Sequence, residues 1–368
     1  MDGIDVALLK TDGEAALEFG PTHSVSYSGE VRQKLEAALV DARQIQRRTD
    51  RMGCLASVET MVTDLHAAAV KEFLDLNRLN ASDIDCIGFH GQTVWHRPQE
   101  GVTVQLGDGP SLASQLGIDV VFDMRANDMT NGGQGAPLVP IFHQAIARQL
   151  GLKLPAVLVN IGGITNVSFV SQTGELLAFD TGPGNMLIDQ WVKATADLPF
   201  DHGGKLASQG ELLPSLLAQY EGHPFFKEAI PKSLDRQDFA KPEPEKFSGQ
   251  SQNLAADGAL TLGVVTALGL KHAMSQLPQS PATMVYCGGG VHNPALLASI
   301  RQEFAAEPNL RDVEHHIVTE FGLDGDMIEA QAFAYLAVRS LNKRPLTYPG
   351  TTGCSVPTTG GVLAEAPC

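Results

Sequence analysis

The fold is decided by Ala156-Val157-Leu158-Val159-Asn160-Ile161-Gly162-Gly163-Ile164-Thr165-Asn166-Val167-Ser168-Phe169-Val170 and, shortly after, Leu176-Leu177-Ala178-Phe179-Asp180-Thr181-Gly182-Pro183-Gly184-Asn185. Apolar runs rich in β-branched residues and cut by glycines predict strands over residues 156–159, 164–170 and 176–179. Helical patterns follow at 186–196, 211–220 and 255–275, then a strand at 284–287 that runs into Gly288-Gly289-Gly290. Helices at 295–305 and 326–341 come next, and a Gly, Thr and Pro-rich tail at 348–367 is expected to cross the surface. Upstream, strands are expected at 4–10, 16–27, 84–89 and 119–122, and helices at 29–48, 57–79 and 139–150. Each half opens with strands and continues with helices and further strands. That pattern predicts two α/β domains with a cleft between them.

The composition fits. The 368 residues are 43% hydrophobic and 18% charged, which places the chain among globular proteins rather than disordered ones. A net charge of −16 argues against a nucleic-acid footprint or a polybasic membrane anchor. The five cysteines are widely spaced without a Cys-x-x-Cys, which reads as a reduced intracellular chain and not as a zinc site or disulfide scaffold. No run was expected to reach the ~20 apolar residues of a membrane span.

Four strands end in small and polar residues: at His90-Gly91-Gln92-Thr93, Asn160-Ile161-Gly162-Gly163, Asp180-Thr181-Gly182-Pro183-Gly184-Asn185 and Cys287-Gly288-Gly289-Gly290. Ligands of open α/β sheets bind at such strand ends, and glycines there let backbone N–H groups approach phosphate oxygens. Asp180 is the leading carboxylate for a general base; holding its own turn or capping the next helix is the competing role. In His90-Gly91-Gln92-Thr93-Val94-Trp95-His96 the two histidines fit no zinc pattern. Trp95 could stack on a sugar and Gln92 pair with its hydroxyls, or the segment could be a buried turn. Arg125, at a strand end near Asp128, suits either a carboxylate clamp or an ion pair. Glu329 stands in a first helical turn, where the dipole already favours an acid.

Together with Gly132-Gly133-Gln134-Gly135-Ala136-Pro137-Leu138-Val139-Pro140 and Asn160-Ile161-Gly162-Gly163-Ile164-Thr165-Asn166, these segments closely resemble, in order and spacing, the anhydro-N-acetylmuramic acid kinases. The resemblance implies two RNase-H-like domains of the actin-like ATPase superfamily, with a nucleotide and sugar cleft between them. The expected division is residues 1–130 with about 330–368, and 131–329. It implies a cytoplasmic, homodimeric enzyme of cell-wall recycling. That enzyme uses ATP, Mg2+ and water to turn 1,6-anhydro-N-acetylmuramic acid into N-acetylmuramic acid 6-phosphate.

By the same resemblance, Asp180 is the base that activates water at the anomeric carbon. Sugar contacts are expected from His90, Gln92, Trp95, Arg125, Asp128, Gly135, Asn185 and Glu329. Nucleotide contacts are expected from Asp2, Gly3, Asn160, Gly162, Gly163, Gly288, Gly289, Gly290 and Asn293. Asp2, with Asp5 as a second candidate, is expected near the metal.

Two departures stand out. The family's Lys-Ser-Thr-Gly-Arg reads Lys232-Ser233-Leu234-Asp235-Arg236, which is expected to alter a loop and leave the chemistry intact. Family members also begin with an apolar strand and a Gly-Thr-Ser-x-Asp-Gly loop, whereas this sequence begins within that loop at Met1-Asp2-Gly3. A missing central strand predicts lower stability and weak turnover, restored by about ten upstream residues. A sugar-binding homologue without catalysis is the alternative.

Overall fold

The computed structural model describes residues 3–367. Asp2 therefore lies outside the described residues. The described residues up to Gln149, together with those from Met327 on, form one compact unit, and Leu150–Asp326 forms the other. Residues 131–149, assigned to the second domain from sequence, belong to the first unit. The reason is the helix Pro140–Gln149, whose Phe142 packs on Tyr335 with ring centroids 5.3 Å apart.

The first unit opens with β1 (Gly3–Thr11) and β2 (Leu17–Ser26), an antiparallel pair. Helices Gly29–Asp41 and Leu55–Asn77 follow. Leu35, Ala38, Val58 and Val62 recur at helical spacing and are buried with Ile4 and Tyr27 in one core. Next come β3 (Ile87–Gly88), β4 (Gln92–Arg97), β5 (Val102–Leu106) and β6 (Val120–Phe122). β4 and β5 form a hairpin, whereas β3 runs parallel to β6 with Ile87 opposite Val120. The segment from His90 to His96, expected as a loop, is thus largely a strand.

β1 and β3 lie in different sheets. Each has a hydrogen-bonded neighbour on one side, and both line a cavity of about 700 Å3 that Phe333 and Ala334 also face.

The second unit holds β7 (Ala156–Ile161), β8 (Ile164–Val170), β9 (Leu176–Pro183), β10 (Thr283–Cys287) and β11 (Glu314–Ile317) in one sheet, ordered β11-β10-β7-β8-β9. β7, β8 and β9 form an antiparallel meander, while β10 lies parallel to both β7 and β11. A meander followed by two parallel strands is the RNase-H-like order anticipated above. Val157, Val159 and Ile161 alternate into a core shared with Ala267, Leu270 and Ile300. The helix Leu254–Ser275 is apolar and long enough to cross a membrane, which the sequence reading did not anticipate; most of it is buried within this unit, as a core helix.

The last strand, β12 (Val362–Ala364), returns to the first unit and pairs antiparallel with β6. The tail thus runs at the surface as expected, with Val356, Val362 and Leu363 exposed, and also completes a sheet edge.

Candidate functional site

The order of the second sheet brings its glycine turns to one end. β7, β9 and β10 point the same way, so Gly162–Gly163 and Gly288–Gly290 follow the carboxyl ends of β7 and β10, and Gly182 and Gly184 stand at the carboxyl end of β9. Backbone bonds stitch two of these turns together. Gly184 and Met186 donate to the carbonyl of Gly163 at 2.9 and 3.2 Å, and Asn185 donates to that of Gly162 at 2.8 Å. A Cβ on Gly184 would stand 2.3 Å from the Gly162 oxygen, so the stitch requires glycine there. Gly288, at φ +79°, lets the Asn160 side chain close in, since a Cβ would sit 2.3 Å from its Oδ1. Asn293 is buried and caps the helix Pro294–Ala305, its Oδ1 accepting from Leu296 N at 3.1 Å. Asn293, expected at the nucleotide, thus has a capping role in the fold.

Asp180 lies in β9 beside a register shift: Thr165 faces Gly182 while Asn166 faces Asp180, leaving Thr181 as the extra residue of a bulge. The segment after Lys232 runs along this strand. Asp180 N donates to the Lys232 carbonyl at 2.9 Å, and Leu234 N donates to Asp180 Oδ2 at 2.8 Å. Burial pushes the Asp180 carboxyl up to about 6, against the opposing pull of that amide. A carboxylate with a pKa just below neutrality is ionised at pH 7 yet basic enough to take a proton from water. Asp189, in the helix Met186–Ala196, is also pushed up to about 6, by burial and then by Asp201. Asp201 itself is spent on the amides of Leu206 and Ala207.

In the first unit, the parallel pairing of β3 and β6 sets His90 and Arg125 beyond the same, carboxyl, end of the sheet. Arg125 Nη2 and Nε donate to His90 Nε2 at 2.9 and 3.3 Å, and Nη1 donates to the Gly135 carbonyl at 2.6 Å. Burial, then the guanidinium, drives the His90 imidazole down to about 3, so it is a neutral acceptor. Burial lowers Arg125 to about 10, opposed by Glu329 and Asp128, so it stays a cation at pH 7. Glu329 is exposed in the helix Ile328–Leu341 and lines the large cavity with Gly3, His90 and Gln92.

Asp128 has another job. It is buried, its Oδ1 accepts from Thr347 and Thr352 at 2.5 and 2.6 Å, and its Oδ2 accepts from Gly135 N at 2.7 Å. With Arg125 on the carbonyl of Gly135 and Asp128 on its amide, this glycine of the loop is held from both sides. Trp95 packs against a hydrophobic core with Arg97 4.8 Å over its ring, and its Nε1 is buried without a hydrogen-bond partner.

Sequence reasoning missed the role of residues 232–236. The departure from the family's segment puts Leu234 into the core, and it is the backbone amide of Leu234, which any residue but proline supplies, that reaches Asp180.

Comparison with known proteins identifies the family of the chain. The profile of the family "Anhydro-N-acetylmuramic acid kinase" matches residues 1–366. A protein of that name from Agrobacterium fabrum is 49% identical over 368 residues, covering 100% of this chain and 96% of its own length. One from Brucella canis is 50% identical over 365 residues, covering 98% and 95%. Among solved structures, a putative N-acetylmannosamine kinase from Listeria monocytogenes has a TM-score of 0.36 at 13% identity, covering 90% of this chain and 98% of its own. Identity near one half over the whole length decides the matter: the chain belongs to the anhydro-N-acetylmuramic acid kinase family and is a kinase.

Proposed function

We propose that this enzyme uses ATP and water to convert 1,6-anhydro-N-acetylmuramic acid into N-acetylmuramic acid 6-phosphate and ADP, in the cytoplasm and as a homodimer. The observation that carries the chemistry is Asp180, positioned by Leu234 N at the glycine-lined end of the second sheet and pushed up to about 6. In this reading Asp180 removes a proton from water as its oxygen bonds to the anomeric carbon. The bond from that carbon to the 6-oxygen breaks, and the 6-oxygen keeps the electron pair. It then bonds to the γ-phosphorus as the bond to the β–γ bridging oxygen breaks, releasing ADP.

The turns at Gly162–Gly163 and Gly288–Gly290 offer backbone N–H groups to the phosphates. Arg125, held by neutral His90, presents a fixed positive charge suited to the anionic sugar. Mg2+, when bound, offsets phosphate charge. Among the described residues no group of three His, Cys, Asp or Glu side chains could hold a metal ion.

The test is ADP release by the purified protein with ATP and 1,6-anhydro-N-acetylmuramic acid, and mass analysis of the sugar product. The reading predicts ADP and a product carrying both added water and one phosphoryl group. ADP release with other amino sugars but not with this one would contradict it.

A further inference from the structure

Arg236 is the one residue of the 232–236 segment whose side chain reaches a glycine turn. A Cβ on Gly163 would stand 3.3 Å from its Nη2, so the guanidinium lies against the bare face of that turn. Among the described residues it has neither a hydrogen-bond partner nor an ion-pair partner, and it is exposed. Its backbone, in contrast, is fixed. Leu234 on one side and Phe239 on the other are buried in the same core. Between them, Asp235 N donates to Asp238 Oδ2 at 2.8 Å, Gln237 N to Asp235 Oδ1 at 2.9 Å, and Asp238 N to the Asp235 carbonyl at 3.0 Å. Two residues upstream, Leu234 N holds Asp180 at 2.8 Å. Lys232 anchors the start of the segment, its buried Nζ donating to the Phe225 carbonyl at 2.7 Å.

A fixed turn that carries an unpaired cation to a surface of bare glycine backbone is the arrangement that phosphoryl transfer uses to offset developing charge. We infer that Arg236 is a catalytic residue that binds the γ-phosphoryl group of the nucleotide at the Gly162–Gly163 turn and stabilises it during transfer. This rests on the kinase reading above. The same segment would then serve both halves of the reaction, through the Leu234 amide at the base and through the Arg236 side chain at the phosphate. Bond changes at phosphorus are those given above: the 6-oxygen bonds to the γ-phosphorus, the bond to the bridging oxygen breaks, and Arg236 neither gains nor loses a proton.

The experiment compares wild type, Arg236→Ala and Arg236→Lys in two measurements. In steady-state turnover, Arg236→Ala is expected to lower kcat about a thousandfold with KM for the sugar little changed, and Arg236→Lys to recover only part of it. In binding, affinity is measured for ADP alone and for ADP with aluminium fluoride, which mimics the phosphoryl group in flight. Wild type should prefer the mimic, and Arg236→Ala should lose most of that preference while binding ADP normally. An unchanged kcat, or an unchanged preference for the mimic, overturns the inference. The binding measurement needs no sugar. If wild type releases no ADP with the anhydro sugar, the kinase reading fails, while Arg236 is still judged by the mimic.

Discussion

Asp128 and Asp180 are both aspartates that the sequence offers as site residues, and the structure gives them opposite surroundings. Asp128 sits at the centre of a closed node of two threonine hydroxyls and a glycine amide. Asp180 is held by a backbone amide at the edge of a sheet and is pushed up to about 6 by burial. A carboxylate surrounded by donors organises the chain, while one desolvated without full compensation keeps basicity for chemistry. The difference lies in what each carboxylate is given to bind, not in residue type or proximity to glycines.

The largest expected effect breaks the comparison from the catalytic side. Asp180→Asn should lower turnover by about a thousandfold or more, the range for losing a positioned general base, with circular dichroism unchanged. Loss of folding in that variant would make Asp180 a second structural node.

Next comes the structural side. Asp128→Ala leaves the hydroxyls of Thr347 and Thr352 and the amide of Gly135 without their acceptor. Urea unfolding should record a loss of about 2–4 kcal/mol. A loss below about 1 kcal/mol would mean that the node is not holding the loop.

Stability against pH sharpens the contrast further. The raised pKa means that the folded chain binds the Asp180 proton more tightly than the unfolded chain does. Its penalty is thus absent below the ordinary value of 3.8 and grows as pH rises through about 6. Asp180→Asn should therefore be more stable than wild type by up to roughly 3 kcal/mol at pH 8, with the gain vanishing near pH 4. An Asp180→Asn variant less stable than wild type at pH 8 would contradict this account.

The smallest effect concerns Trp95. Its indole N–H has no partner to lose, so Trp95→Phe should cost about 1 kcal/mol or less in thermal or urea unfolding. KM for the sugar should also stay within about threefold, because the ring packs into the core. A rise of about tenfold would return Trp95 to the sugar-stacking role expected from sequence.

Much of this was legible in the chain. The apolar runs around Val157, Val167 and Phe179 announced their strands, because β-branched residues ended by glycine have few other uses in a core. The loops at Gly162, Gly184 and Gly288 announced themselves for the same reason. The hairpin of β4 and β5 was less visible because, in Gln92–Arg97, Val94 is the one fully buried side chain, so the alternation is faint. β12 is nearly unreadable, since Val362 and Leu363 are exposed and its partner β6 lies far upstream. The roles of Asp128 and Leu234 were hidden differently. Thr347 and Thr352 come to Asp128 only through the tertiary fold, and the contact from Leu234 is a backbone amide that no side-chain pattern records.

The central claim is that burial makes Asp180 the base. The most direct test is the pH dependence of kcat/KM for the anhydro sugar in wild type, with Asp189→Asn as control because Asp189 is also raised to about 6. Both proteins should lose activity with unit slope as pH falls through about 6, the value of Asp180. A profile flat down to the ordinary aspartate value of 3.8, or one whose fall near 6 disappears in Asp189→Asn, would contradict it.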